Sequence, residues 1–199
     1  MLESHDRFGI TKIERLFSFT TCKNDPKEAA NKWKKGIPPE CAGTCELEYY
    51  QSNIELLKIA GVEVEDPPGE NTKDFAGIEY NFGAKVVLKP DFGVTIKEIK
   101  SKFKGNFLII RREINVIGKN KISHKSTLVL DGDVHIENLV LDGSIRVISN
   151  EKKEVKDLEV HDKNYVEFVP IDENETDPRL KMRGYKAVGK EDIIDISFV

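Results

Sequence analysis

STLVLDGDVHIENLVLDGSIRVIS, from Ser126 to Ser149, is the stretch whose reading decides the fold. Its apolar residues fall in alternating pairs: Leu128/Leu130, Val134/Ile136, Leu139/Leu141 and Ile145/Val147. Side chains alternate across a strand, so each pair marks the buried face of a short strand. Between the pairs sit Asp131-Gly132, Glu137-Asn138 and Asp142-Gly143, all turn formers. Two architectures satisfy this pattern. Asp-Gly flanked by alternating apolar residues is a hairpin signal. Closely spaced apolar pairs are also the step of a parallel β-helix. The pattern alone does not separate the two, and either one is a scaffold that names no function.

Outward from this stretch, 199 residues suit one or two domains with a real core. A third of the residues are charged and the net charge is -4, which is not the basic footprint of a nucleic-acid binder. The lysines of Lys97–Lys104 read as a solvated helix face. The longest apolar run, Phe107–Ile110, is far short of the ~20 residues that a membrane helix needs. The start, MLESHDRFGITKIERLF, lacks the basic stretch and apolar core of a signal peptide. Cys22, Cys41 and Cys45 are then expected to be reduced thiols of a cytoplasmic protein.

Along the chain, Leu16, Ser18 and Thr20 alternate with Phe17 and Phe19 and predict a strand. Asp25-Pro26 opens a helix, DPKEAANKW, because Asp accepts free N–H groups and Pro costs nothing in the first turn. KKGIPPECAGT reads as loop. A helix is predicted over Glu46–Ala60, with Leu47, Tyr50, Ile54 and Leu57 on one stripe and Gly61 as its stop. VEVEDPPGENTKDFAG reads as a strand running into a linker and gives the candidate domain boundary. Beyond it, AKVVLK is a strand ended by Pro90. Thr95 and Glu98 form a capping box for a small helix that buries Ile96, Ile99 and Phe103 and ends at Gly105. Phe107–Ile117 is strand-like, DENETDP is loop, and LKMRGYKAV and DIIDISFV read as closing strands.

Few residues announce chemistry. Cys41-x-x-x-Cys45 invites a metal reading, but zinc needs four ligands and no matched histidine spacing supplies the rest. His124, His135 and His161 are expected to face solvent. The chain contains no G-x-S-x-G, P-loop or G-x-G-x-x-G. Lys23, in Cys22-Lys23-Asn24-Asp25-Pro26, is the one candidate. A lysine just ahead of a helix N-terminus can meet a phosphate that also feels the free N–H groups.

These segments resemble a family. TTCKNDPKEAANKW is similar to the F-x-P-x-K-N-plus-helix segment around the essential lysine of UTP-dependent sugar-1-phosphate uridylyltransferases. The next stretch resembles the broad-specificity UDP-sugar pyrophosphorylases, whose G-E-x-x-x-Y-x-x-N pattern is matched by Glu46, Tyr50 and Asn53, with Cys45 where glycine is usual. VVLKPDFGVTIKEIKSKFKGN is similar to their W-K-P-x-x-G-L-T stretch, with Leu88 in place of the tryptophan. SHKSTLVLDGD is similar to S-x-R-S-T…L-D-G, and Arg183-Gly184-Tyr185 to a closing R-G-F.

The resemblance implies an α+β chain. Residues 1–72 would be a short α/β remnant, the C-terminal edge of a nucleotidyltransferase catalytic domain. Residues 73–199 would be a mainly-β C-terminal domain, a left-handed parallel β-helix. It implies a parent enzyme that converts UTP and a sugar 1-phosphate to UDP-sugar and pyrophosphate, with Mg²⁺ bound by groups outside this chain and Lys23 as the catalytic, phosphate-binding cation. The Gly-rich nucleotide loop of that family has no counterpart here, so the chain is expected to be a fragment that is inactive alone. No nucleic acid and no membrane are expected as partners. A catalytic-domain remnant with an exposed α-helical stripe is expected to self-associate. The alternative is a non-catalytic β-domain for assembly or partner binding.

Overall fold

In the computed structural model, which describes residues 10–66, 71–104, 106–110, 113–117 and 120–194, the opening stretch is built into parallel ladders. The N-terminal segment is helical. Arg15–Ser18 (α1) is a single turn, closed by Phe19 N–H on the Arg15 carbonyl at 3.1 Å, where alternation predicts a strand. Among the described residues no strand lies beside it to supply backbone partners, so the local turn wins. Pro26–Lys34 (α2) starts as expected, with the Asp25 carboxylate accepting Glu28 N–H at 2.9 Å.

Ala42–Ile59 (α3) begins earlier than its predicted start at Glu46. Cys41 N–H donates to the Thr44 hydroxyl oxygen at 3.0 Å, an N-terminal cap inside what reads as loop. Most of the stripe of α3 is covered within this chain: Tyr50, Ile54 and Leu57 are buried and Leu47 is half-buried. The exposed stripe on which self-association was expected is therefore absent.

Glu63–Val64 (β1) follows. Thr72–Phe75 (β2) and Ile78–Asn81 (β3) pair antiparallel around Ala76-Gly77, both at positive φ, where the sequence reads as linker. Polar residues on one side of this ribbon hide its apolar side, Phe75, Ile78 and Tyr80. Residues 67–70 of the expected boundary lie outside the described residues.

Lys85–Leu88 (β4) and Ile96–Lys102 (α4) match expectation, and α4 carries the reciprocal Thr95/Glu98 capping box. Ile99 is buried, but Ile96 is exposed, and Phe103 belongs to a strand, Phe103–Lys104 (β5). Gly105, the expected stop, lies outside the described residues. Asn106–Ile110 (β6) and Glu113–Ile117 (β7) pair antiparallel.

Lys121–Ile122 (β8), Thr127–Glu137 (β9), Val140–Leu141 (β10), Ser144–Lys156 (β11) and Glu159–Val160 (β12) complete the stacked region. Glu167–Pro170 (β13) pairs antiparallel with Tyr185–Val188 (β14). Between them LKMRGYKAV is half helix: Pro178–Arg183 (α5) is capped by the Asp177 carboxylate and stopped by Gly184 at φ 83°. Asp192–Ile194 (β15) adds to β11; residues 195–199, the rest of DIIDISFV, lie outside the described residues.

Three parallel ladders share these strands. One aligns Glu63, Lys121, Val140 and Glu159. The second aligns Val86, Leu128 and Ile145 and adds β15 beside β11. The third aligns Phe103, Ile136 and Val155. On or between their strands, all eight of the residues paired in the opening stretch are buried, none more than 2% exposed. The hairpin reading fails because β9 and β11 run parallel.

Asp131-Gly132 is not a terminal turn; β9 runs through it. Gly132 has φ 87°, and a Cβ there would stand 1.7 Å from the Ser149 carbonyl oxygen of the next strand. Only glycine fits that approach. Asn138 and Asp157 occupy equivalent corners, both at positive φ, and the Asn138 amide donates to the Asp157 carboxylate at 2.7 Å. Short polar side chains tolerate that backbone region best after glycine.

The molecule thus has a mixed α and β fold with parallel sheets. Two apolar clusters hold it. An aliphatic one fills the ladders and takes in Ile54 and Leu57 of α3. An aromatic one joins Ala29, Cys41 and Tyr50 to Phe75, Tyr80, Phe82, Phe168 and Tyr185. Each draws on residues from both sides of the 66–73 segment.

Candidate functional site

Lys23 sits in the loop that leads to the N-terminus of α2. The loop is pinned by its backbone: Lys23 N–H and Asn24 N–H both donate to the Glu40 carbonyl, at 2.8 and 3.1 Å. The Asn24 amide donates to the Pro39 carbonyl at 2.7 Å. Glu40 itself has φ 47°, which turns its carbonyl toward the loop. The main chain is fixed while the Lys23 side chain remains 68% exposed, with its ammonium 3.9 Å from Glu40 Oε1. Lys32 approaches the other oxygen of the same carboxylate at 3.7 Å. An exposed pair of this length contributes little to stability, so the ammonium can leave Glu40 for a stronger anion at small cost. The free N–H groups of α2 are partly answered already by Asp25.

Beside this loop the cysteines remain thiols. Cys22 is exposed, Cys41 is buried and Cys45 is intermediate. Cys41 Sγ lies 3.4 Å from the Tyr80 hydroxyl, and Gly43 faces the same ring, where a Cβ would stand 2.6 Å from that hydroxyl. Small residues at the start of α3 therefore serve its packing against Tyr80. Burial pushes the Cys45 thiol up, and its neighbours include Thr20 and Cys22. Among the described residues no group of three or more His, Cys, Asp or Glu side chains could hold a metal ion. These residues do not fit a Mg²⁺ site.

The histidines depart from expectation. His161 is exposed, but His135 is only 16% exposed, with Nε2 3.2 Å from Asp133 Oδ1, and His124 lies 3.6 Å from Glu65. The expected solvated face of α4 has an exception too: Lys102 is 12% exposed and pairs with Asp133 at 2.8 Å.

The residues of the G-E-x-x-x-Y-x-x-N and R-G-F patterns meet in space. Glu46 receives Arg183 Nη1 on both carboxylate oxygens, at 3.2 and 3.1 Å. The Tyr50 hydroxyl also bonds Glu46, and the Tyr185 hydroxyl lies 3.2 Å from Glu46 Oε2. Burial and this carboxylate push the Tyr50 and Tyr185 hydroxyls far above the ordinary tyrosine range. Gly184 reverses the chain after α5, so that Tyr185 enters the aromatic cluster while the Arg183 guanidinium stands 4.9 Å over its ring. Asn53, the last residue of the first pattern, donates to the Val86 carbonyl at 2.9 Å and ties α3 to β4. These residues join α3 to β4 and to the C-terminal segment; they are a lock, and they do not surround Lys23. Periodicity could not have found the lock, because Glu46 and Arg183 are 137 residues apart.

No family profile matches the chain. A UDP-sugar pyrophosphorylase of Arabidopsis thaliana is 32% identical over 151 residues, covering 75% of this chain and 22% of that protein. UDP-sugar pyrophosphorylases of Oryza sativa subsp. indica and subsp. japonica are 27% and 26% identical, each over 185 residues, 90% of this chain and 27% of theirs. Over three quarters or more of its length, this chain is similar to about a quarter of a UDP-sugar pyrophosphorylase.

Proposed function

We propose that this chain supplies part of a UTP-dependent sugar-1-phosphate uridylyltransferase, the part that carries its phosphate-binding lysine. The observation that carries this reading is the similarity, through most of the chain, to proteins named UDP-sugar pyrophosphorylase. In the parent reaction an oxygen of the sugar phosphate attacks the α-phosphorus of UTP. The bond to the β-phosphate breaks and pyrophosphate leaves. Such transfers depend on positioning and charge neutralisation. Lys23, held by its backbone and only loosely paired with Glu40 at its tip, supplies a positive charge that offsets the phosphate oxygens as the new bond forms.

Two structural readings accompany it. The three ladders are the walls of a left-handed parallel β-helix that residues 73–199 build together with Glu63–Val64, and the rest of residues 1–72 is the edge of a catalytic domain whose nucleotide loop is not in this chain. Parallel pairing and the stacked Asn138/Asp157 corners support the helix. The unpaired cysteines are consistent with a cytoplasmic setting.

The test has two arms. The 199-residue chain alone, given UTP, Mg²⁺ and glucose 1-phosphate, should release no pyrophosphate. A longer polypeptide that adds a nucleotide-binding domain should turn over, and Lys23→Ala there should lose ~10²–10³-fold in rate, the usual loss for one preorganised donor. Lys23→Arg should restore only part of it. Lys27, exposed on α2, is the control. Near-normal turnover in Lys23→Ala would sink the assignment and favour a non-catalytic assembly domain.

A further inference from the structure

A recess of about 200 Å³ lies away from the Lys23 loop, on the outer side of the second ladder. Lys85 and Thr127, neighbours across β4 and β9, point outward there while Val86 and Leu128 point into the core. Phe82 and Phe168, stacked at 4.3 Å, and Tyr165 supply an apolar wall. The Tyr165 ring is fixed because its hydroxyl donates to the Asp142 carboxylate at 2.6 Å.

The charges of the recess are not balanced within it. Lys85 is answered by Glu191 at 2.6 Å, and His124 faces Glu65. Lys73 donates only to the Phe168 carbonyl, at 3.2 Å, and Lys125 stands 6.0 Å over the Tyr165 ring. Among the described residues neither ammonium has a carboxylate within ion-pair reach; both lysines are exposed, as is Glu167, the one carboxylate in the lining. Two ammonium groups without counter-ions, beside a fixed aromatic ring, suit a dianion that carries an apolar or ring-shaped body. Lysine meets phosphate as a point charge and needs no planar geometry. The volume is below the ~300–1,000 Å³ of sites for drug-sized ligands, so the occupant is small.

We infer that this recess binds a small phosphomonoester, its phosphate between Lys73 and Lys125 and its body against Tyr165. The inference does not depend on the proposed reaction or on Lys23.

Phenyl phosphate is the probe, titrated into the 199-residue chain and followed by amide chemical shifts and calorimetry. Saturable shifts are expected at Lys73, at 124–127 and at 165–168. Lys125→Gln should weaken binding about tenfold or more, the loss of one charge-assisted hydrogen bond. Lys125→Arg should keep most of the affinity, and Lys97→Gln, on α4, should change nothing. Lys73→Gln should behave like Lys125→Gln; if it disturbs 165–168 through its lost bond to Phe168, Lys125→Gln alone decides. Benzyl alcohol, which has the ring without the charge, should not bind. Absence of saturation at millimolar phenyl phosphate, or equal affinity in wild type and Lys125→Gln, overturns the inference. Inorganic phosphate that binds as tightly as phenyl phosphate overturns the assignment of an organic body.

Discussion

The two cores of this molecule are built on opposite plans. The ladder core is aliphatic and layered: Val86, Leu128 and Ile145 lie in register, rung on rung, although unequal lengths of chain separate them. The second core is aromatic and has no repeat. Phe75, Tyr80, Phe82, Phe168 and Tyr185 arrive from separate segments, and beside them lies the Glu46–Arg183 pair with its two tyrosine hydroxyls. A repeated aliphatic stack gains its stability from many equivalent contacts. A polar lock within an aromatic cluster fixes which distant segments meet, and it is only as strong as its least satisfied member.

The largest effect is expected at the ladder interior. Leu128→Ala removes a side chain with no exposure, and should cost ~2–5 kcal/mol in urea unfolding, because rungs above and below cannot collapse into the gap. A loss below about 1 kcal/mol would mean that the stack is loosely packed.

Glu46→Ala comes next. It strands Arg183 and two tyrosine hydroxyls. Breaking a fully buried pair costs ~3–5 kcal/mol, but these side chains are about a fifth exposed, so about 2–3 kcal/mol is expected after allowing for solvent screening. If Glu46→Ala proves harmless while Glu46→Gln does not, the lock reading fails.

Tyr185→Phe keeps the ring and deletes the hydroxyl that faces Glu46 and the Gly43 carbonyl. A loss of ~1 kcal/mol is expected from calorimetry or urea titration, the usual size for one hydrogen bond. No change would show that Arg183 and Tyr50 already satisfy the carboxylate.

The smallest effect is on the outside of the ladders. Lys104, and then Lys156, hold the exposed Glu154 carboxyl down to about 2. Its contribution to stability is present above the ordinary carboxylate range and is lost as pH falls through about 2. Carboxyl NMR titration should find it there at low salt and nearer the ordinary value in 1 M salt, since exposed pairs are screened. A value that ignores salt would place this pair in a drier setting than its exposure allows.

The side chains that fill the ladders are legible in the chain, because strand alternation depends only on neighbours along it. So are the caps at Asp25 and Thr95, which act across three residues. The colinear patterns carried the resemblance and placed Lys23 in a loop ahead of a helix. What the sequence left open was set by partners far away in the chain. Asp131-Gly132 fits a hairpin and a β-helix equally until β11 is seen running parallel to β9, with the Ser149 carbonyl where a Cβ would be. Thr72–Phe75 reads as linker because only the fold reveals that Phe75 faces Tyr185, at 5.0 Å between ring centroids. LKMRGYKAV reads as one strand because its apolar spacing is too short to separate one helical turn from an extended run. Glu46, Tyr50, Arg183 and Tyr185 read as pattern letters, and only their meeting shows what they do. The ammonium of Lys125 acquires its place over Tyr165 in the same way. Local hydrogen bonds and periodicity are written in the chain; the choice among parallel, antiparallel and long-range partners is made by which buried surfaces and charges can be satisfied together.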